Sequence, residues 1–273
     1  MKENTIGSYQ THIKLVAIDA DDTLWDCQSY FVQVEEEYCR LLSDFADADT
    51  VSYELFKTET ANMAELGYGC KAFTLSLVEN AVRISDGRIS ANRLLQIQDL
   101  GRSLLRLAAT PLPEVRETLE QLRHSLLSPS VPASCSLPPL ALRRCSGASR
   151  RSSCSLPPAP CPLFIVFTKG EIDDQLHKLE RSGLAPLFDD VVVVADKTKE
   201  EYLRLCERYN VDISNILSVG NSFKSDVEPV LQLGGYAVHI PFKHLWAHEH
   251  TEEYSHPHLW TISHFGELTN VLK

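Results

Sequence analysis

The sequence lacks the features that mark membrane, secreted and nucleic-acid-binding proteins. The stretch MKENTIGSYQTHIK at its start has no apolar core of a signal peptide, and no stretch approaches the roughly eighteen consecutive apolar residues of a membrane-spanning helix. Its 26 basic residues are outnumbered by 37 acidic ones, for a net charge of -11. Nucleic acid and anionic lipid both need a positive surface. We therefore expect a soluble, cytoplasmic protein with no nucleic-acid or membrane partner.

The eight cysteines include no CxxC pair of the kind that binds zinc. A long chain without a secretory signal usually keeps its cysteines reduced, so we expect free thiols. A length of 273 residues allows one large domain, or a core domain with a smaller one attached.

Residues 125–161 differ abruptly in composition from the rest of the chain. They are rich in Pro, Ser and Cys, contain arginine but no Asp, Glu or Lys, and repeat CSLPP at Cys135 and Cys154. Such a segment has no helical or strand periodicity and too little patterned apolar surface to offset the entropy of ordering it. We expect a disordered insertion within the core domain.

Short apolar runs recur along the remaining chain and predict buried strands at 13–18, 163–167, 191–194, 216–219 and 236–240. Amphipathic segments lie between them, and two of these end in glycine. Alternating strands and helices predict a three-layer, Rossmann-like α/β fold with a parallel sheet. Residues 28–110 read as helices only, so we expect a helical cap at 28–110 inserted into a core of 1–27 and 111–273.

The run KLVAIDADDTLWD places three carboxylates directly after the first predicted strand. The strand delivers Asp19 at its carboxyl end, where α/β sheets bind ligands, and Asp21 follows two residues later. Asp is also a favoured turn residue, and this interpretation remains open for an isolated D-x-D motif. We interpret Asp22 as a turn residue.

Three further strand ends carry polar groups suited to a phosphate or a metal ion. Thr168 ends the second strand and is followed by Lys169; the third is followed by Lys197, with Lys199 close by. The fourth strand is followed by GNSFKSD, which contains Asn221 and Asp226.

Taken in order, these residues resemble the four motifs of the haloacid dehalogenase (HAD) superfamily. The helical segment after the first strand also resembles the cap domain of that family. The resemblance covers nearly all of the chain except the Pro/Ser-rich segment. The matching motifs are Asp19-Ala20-Asp21-Asp22-Thr23, Thr168, Lys197, and Gly220-Asn221-Ser222 with Asp226.

The resemblance implies a Mg²⁺-dependent phosphatase that acts on a small phosphorylated substrate. Asp19 would attack phosphorus and form an aspartyl-phosphate, and Asp21 would act as general acid and base. Thr168, Lys169 and Lys197 would bind the phosphate. The implied Mg²⁺ ligands are Asp19, Asp21, Asn221 and Asp226.

Two assignments stay open within this resemblance. Lys199 competes with Lys197 for the third motif, although Lys197 lies nearer the strand end. Many family members carry Asp where this chain has Asn221, so either Asn221 or Asp226 could supply the fourth-motif ligand.

Alternative functions are a phosphomutase that uses the same intermediate and a non-catalytic binding protein with the same fold. Dehalogenases of the superfamily attack carbon with the first Asp and need neither the second carboxylate nor a metal. The presence of Asp21 therefore favours phosphate chemistry.

Overall fold

The computed structural model describes residues 12–126, 162–244 and 246–272. Its centre is a six-stranded sheet in which every adjacent pair is parallel, in the order β3-β2-β1-β4-β5-β6. The strands are β1 (Leu15–Ile18), β2 (Leu163–Lys169), β3 (Asp190–Val194), β4 (Ile216–Gly220), β5 (Tyr236–His239) and β6 (Leu259–Thr261). The predicted α/β class with a parallel sheet is confirmed, and β6 is an additional edge strand that the sequence did not reveal.

Helices cover both faces of this sheet and form the outer layers. They are α5 (Val115–Leu126), α6 (Ile172–Ser182), α7 (Lys199–Tyr209), α8 (Glu228–Gln232) and α9 (Leu268–Val271). The alternation of side chains in β1 shows why there are two faces. Val16 and Ile18 pack in one hydrophobic cluster, whereas Leu15 and Ala17 pack in the other.

A second group of helices follows β1 and has a hydrophobic core of its own. It contains α1 (Gln28–Leu42), α2 (Ala48–Leu66), α3 (Cys70–Ile84) and α4 (Ala91–Ser103). Tyr38 is fully buried at its centre, where its hydroxyl donates to the carbonyl of Leu77 at 3.0 Å and accepts from Asn80 at 2.9 Å. We refer to α1–α4 as the cap; the limits of 28–110 for this domain stay a prediction.

The chain leaves the core for the cap and returns to it at adjacent points. Trp25 forms an isolated antiparallel bridge with Pro111, and the amide of Leu112 donates to the carbonyl of Leu24 at 2.9 Å. The two connections between core and cap therefore run side by side.

The expected insertion at 125–161 falls almost wholly outside the described residues. Helix α5 extends to Leu126, so the first two residues of that range are helical. The four cysteines among the described residues, Cys27, Cys39, Cys70 and Cys206, are free thiols. No helix in this part of the chain combines the length and the hydrophobicity that a membrane span requires.

The sheet order creates a crevice above β1. Strands β2 and β3 lie on one side of β1 and β4 and β5 on the other, so the crossovers on either side of β1 diverge. Ligands of open α/β sheets bind at such a point, beyond the carboxyl ends of the strands.

Candidate active site

Asp19 lies at the carboxyl end of β1 and is almost fully buried, at 8% exposure. Its backbone amide donates to the carbonyl of Val219 in β4 at 2.8 Å, which fixes its place at the strand end. The Thr23 hydroxyl donates to Asp19 Oδ2 at 3.1 Å. Asp19 Oδ1 faces the ammonium group of Lys197 at 2.5 Å.

Lys197 joins two carboxylates from different strand ends. Its Nζ lies 2.5 Å from Asp19 Oδ1 and 2.5 Å from Asp226 Oδ1. Burial raises the pKa of Asp19 to about 7; Lys197 opposes this shift, and the negative charge of Asp226 adds to it. Burial also acts to lower the pKa of Lys197, but Asp19 and Asp226 outweigh it, so that pKa is raised and the lysine stays charged.

Gly220 makes room for this arrangement. A Cβ at this position would lie 2.2 Å from the carboxylate carbon of Asp226, far inside contact distance. Any other residue would displace Asp226 from Lys197.

Asp21 is held by three side-chain donors. Trp25 Nε1 and Gln175 Nε2 each donate to it at 2.7 Å, and Lys178 Nζ lies 3.1 and 3.0 Å from its two oxygens. Burial alone would raise the pKa of Asp21, but Lys178 and the other donors outweigh burial and lower it. This side chain is therefore kept as a carboxylate.

Asp22 lies in the turn that follows, with a left-handed φ of 64°. Its Oδ1 accepts the backbone amides of Cys27 and Gln28, both at 2.8 Å. It thereby fixes the turn from which α1 begins.

Asn221 faces Asp19 from the end of β4. One terminal atom of its amide lies 3.3 Å from Asp19 Oδ2 and 3.3 Å from the backbone carbonyl oxygen of Asp21. If this atom is the amide nitrogen, it donates to both oxygens. If it is the amide oxygen, it faces Asp19 Oδ2 and the Asp21 carbonyl oxygen, so three oxygens lie together. Asp226 differs, because both of its oxygens are already used, by Lys197 and by the Ser222 amide at 3.0 Å.

Thr168 and Lys169 end β2 on the same side of the sheet. Thr168 is buried, and among the described residues its hydroxyl has only a long contact of 3.4 Å to the carbonyl of Lys169. Lys169 donates to Ser225 Oγ at 2.9 Å and pairs with the Glu249 carboxylate. Burial would raise the pKa of Glu249, but Lys169 and the serine hydroxyls outweigh it and lower the pKa to about 2.

The two lysines that compete for the third motif lie in different surroundings. Lys197 is buried against Asp19, at 3% exposure, whereas Lys199 is exposed as the first residue of α7. Only Lys197 lines the cavity described next.

Seven of the eight candidate residues, all except Lys199, and the turn residue Asp22 line one cavity of about 170 Å³ between the core and the cap. They are Asp19, Asp21, Asp22, Thr168, Lys169, Lys197, Asn221 and Asp226. The cap contributes a wall that contains Phe31, Glu59 and Phe73. The structure thus brings the residues of all four motifs to one cavity.

Sequence reasoning missed Gln175, Lys178, Ser225 and Glu249. Lys178 follows Asp174 by four residues, the spacing of a helical ion pair, and that pair forms at 3.2 Å. The same spacing is typical of solvent-exposed pairs, so it does not reveal that Lys178 is only 2% exposed. Glu249 lies between β5 and β6, in the carboxyl-terminal stretch 244–258 that contains five histidines, and carries no motif of its own.

No model of a protein family matches the chain. Among curated proteins, the glyceraldehyde 3-phosphate phosphatase of Methanocaldococcus jannaschii is 24% identical over 272 residues, which is 96% of this chain and 97% of that protein.

Among solved structures, a haloacid dehalogenase-like family hydrolase from Xanthomonas campestris is similar, with a TM-score of 0.74 and 26% identity over 96% of this chain and 92% of the other. The HAD-hydrolase YfnB from Bacillus subtilis, bound to magnesium, has a TM-score of 0.58 and 15% identity over 96% and 99%. A 2-haloacid dehalogenase from Pseudomonas syringae pv. Tomato DC3000 has a TM-score of 0.55 and 20% identity over 95% and 98%.

The Bacillus and Pseudomonas structures are less than 25% identical to this chain, so they show similarity of fold alone. The Xanthomonas hydrolase and the curated phosphatase add similarity in sequence over nearly the full length of each chain. Together with the parallel sheet and the helices inserted after β1, these findings show that the chain is a hydrolase of the haloacid dehalogenase superfamily.

Proposed function

We propose that this hydrolase is a Mg²⁺-dependent phosphatase that acts on a small phosphorylated metabolite through phosphoryl transfer to Asp19. The observation that carries the proposal is the pairing of two carboxylates in one cavity. Asp19 is in contact with Lys197, and Asp21 is held as a carboxylate by three donors. The curated relative named as a phosphatase supports the same reaction class.

Asp19 acts as the nucleophile. Its carboxylate oxygen attacks phosphorus, the bond to the leaving alcohol oxygen breaks, and an aspartyl-phosphate forms. Water then attacks phosphorus, the bond to Asp19 breaks, and inorganic phosphate leaves. Lys197 favours the ionised form that this attack needs, because it opposes the effect of burial on the pKa of Asp19.

Asp21 acts as general acid and then as general base. In the first step it protonates the leaving oxygen, and in the second it takes a proton from the attacking water. Lys178 lowers the pKa of Asp21 and so favours the basic form. A bound phosphoryl group adds negative charge nearby and raises the pKa of such a carboxyl, which favours its acidic form for the first step.

Thr168, Lys169 and Lys197 bind the phosphoryl oxygens. The Thr168 hydroxyl lies in the cavity with only a 3.4 Å contact to a carbonyl, so it is available to donate. The two ammonium groups supply positive charge where negative charge develops in the transition state.

The oxygens around Asp19 suit Mg²⁺. The Asn221 amide meets Asp19 Oδ2 and the Asp21 carbonyl, and with its oxygen turned inward it completes a set of oxygen donors of the kind Mg²⁺ prefers. Asp226 is the weaker candidate because its carboxylate is already occupied. When bound, the ion would offset the repulsion between the Asp19 carboxylate and the phosphate.

Measurement of phosphate release from a panel of small phosphate esters tests this function. We expect release by the wild-type protein in Mg²⁺ and none by Asp19→Asn, which removes the attacking oxygen without changing the shape of the side chain. Thermal unfolding checks that the variant remains folded. Release of halide from a 2-haloacid without phosphate release from any ester would overturn the proposal, and transfer of phosphate to a second hydroxyl would indicate a phosphomutase.

A further inference from the structure

The cap side of the cavity is lined by aromatic side chains. Phe31 and Phe73 lie with ring centroids 5.0 Å apart, and Trp246 approaches Tyr68 edge-on at 5.5 Å. One face of Tyr68 is already taken by the Lys169 ammonium group, at 4.8 Å from the ring centroid. Aromatic faces carry partial negative charge and attract cations.

Glu59 of helix α2 belongs to the same wall, and its side chain is 13% exposed. Within the described ranges, no lysine or arginine lies within 4.0 Å of its carboxylate. The Trp246 side chain donates a hydrogen bond to it, and Glu35 of α1 adds a like charge. Glu59 therefore lacks a permanent cation.

His248 is the basic side chain nearest to Glu59, but it does not neutralise the carboxylate. Its Nε2 lies 3.7 Å from Glu59 Oε2, beyond hydrogen-bond distance, and has no hydrogen-bond partner among the described residues. Burial lowers the pKa of His248, with Lys224 adding to the effect, and both favour the neutral ring. Burial raises the pKa of Glu59 to about 8, so without a cation the side chain is mostly protonated at pH 7, and a bound cation would favour its ionised form.

The cavity is thus polarised. Lys197 contacts Asp19 in the core, whereas Glu59, with no lysine or arginine within 4.0 Å among the described residues, lies on helix α2 of the cap. At about 170 Å³ the cavity is smaller than the roughly 300 Å³ at which pockets for drug-sized ligands begin. A ligand that matches it is small, anionic at one end and cationic at the other.

We propose that the cap end of the cavity binds a cationic amino group, with Glu59 as its counter-ion and Phe31, Phe73 and Trp246 as its aromatic surroundings. The inference rests on the proposed function, since the phosphate of the same molecule lies against Asp19. The substrate class is then the phosphate monoester of a small amino alcohol.

Two esters of nearly equal size test this subsite. O-phosphoethanolamine carries an ammonium group where n-propyl phosphate carries a methyl group. We expect kcat/KM of the wild-type protein to be about 10- to 100-fold higher for the amino ester, because a charge-assisted contact with its ammonium group contributes a preference of this size. In Glu59→Gln this ratio should fall to within about threefold of one. Glu54→Gln, on the same helix but outside the cavity lining, should keep the wild-type ratio.

Calorimetric binding separates failure of the subsite from failure of the phosphatase assignment. Asp19→Asn should bind O-phosphoethanolamine more tightly than n-propyl phosphate, and the double variant with Glu59→Gln should lose that preference. A preference in binding without turnover of any ester by the wild-type protein would retain the subsite and overturn the phosphatase. Hydrolysis of both esters at equal kcat/KM, or equal or absent binding of both by Asp19→Asn, would overturn the subsite.

Discussion

The ammonium group of Lys178 contacts both carboxylate oxygens of Asp21, across 157 positions of sequence and with 2% of the lysine side chain exposed. The same ammonium group pairs with Asp174 at 3.2 Å. One buried cation therefore balances two carboxylates, one from the turn that follows β1 and one from α6, and neither carboxylate has another lysine or arginine partner among the described residues.

Lys178→Met should lower the free energy of unfolding at pH 7 by about 3–5 kcal/mol, because it leaves the buried Asp174 and the partly buried Asp21 without their cation. The pKa of Asp21 is depressed in the folded protein, so this stabilisation is present above its ordinary value of 3.8 and is lost as pH falls through the folded-state pKa. Urea unfolding at pH 7 and at acidic pH measures the difference, which should shrink in acid. Lys199→Met, at an exposed position, should stay within about 0.5 kcal/mol of wild type; equal stability of wild type and Lys178→Met at pH 7 would contradict the prediction.

The two third-motif lysines should behave differently in the phosphatase assay. Lys197→Met should reduce kcat by about 10²- to 10³-fold, because it removes a donor placed against the reacting carboxylate. Lys199→Met should leave kcat within about twofold of wild type, since an exposed group outside the cavity contributes little. Circular dichroism verifies folding of both variants, and loss of activity in Lys199→Met alone would reverse the assignment.

Phosphate release should stop with EDTA and return with Mg²⁺. Asn221→Asp should tighten Mg²⁺ binding by about fivefold or more, because it replaces a neutral amide oxygen beside Asp19 with a carboxylate. Calorimetric titration with Mg²⁺ measures this directly. Weaker binding by Asn221→Asp than by wild type would show that Asn221 is not a ligand.

The ionisation of buried Glu59 should lower the free energy of unfolding as pH rises from the acidic range. Its pKa is about 8 in the folded protein and 4.5 ordinarily, so between these values the folded state binds more protons than the unfolded state and stability falls as pH rises. Glu59→Gln should therefore raise the melting temperature at pH 8 and change it little near pH 4.5. Glu54→Gln serves as the control, and an unchanged or lower melting temperature of Glu59→Gln at pH 8 would refute this view of the cap wall.

The sheet and the strand ends could be predicted because their signals are local. A buried parallel strand reads as a short apolar run, and the polar residue that ends it lies at the edge where ligands bind. This placed Asp19, Thr168 and Asn221 correctly at the ends of β1, β2 and β4. Strand β6 was not predicted because it has only three residues, and one of them, Thr261, is exposed.

The contacts that tune the site could not be predicted in the same way. Lys178 reaches Asp21, and Glu249 reaches Lys169 across 80 positions, only after the helices and the carboxyl-terminal segment have packed on the sheet. Sequence does not distinguish a buried charged side chain from an exposed one. Glu59 shows this most clearly, since the nearby Glu54 on the same helix is paired with Lys57 at the surface.

The bridge between Trp25 and Pro111 and the hydrogen bond between Leu24 and Leu112 tie the outgoing and returning chains together at the base of the cap. Two adjacent connections of this kind allow the cap to rotate relative to the core about one axis. They restrict twisting and sliding of the cap. Opening along that axis would move Glu59, Phe31 and Phe73 away from Asp19 together, whereas Trp246, which follows β5, would stay with the core. Such an opening would break the hydrogen bond from Trp246 to Glu59 and would expose the cavity between the core and the cap.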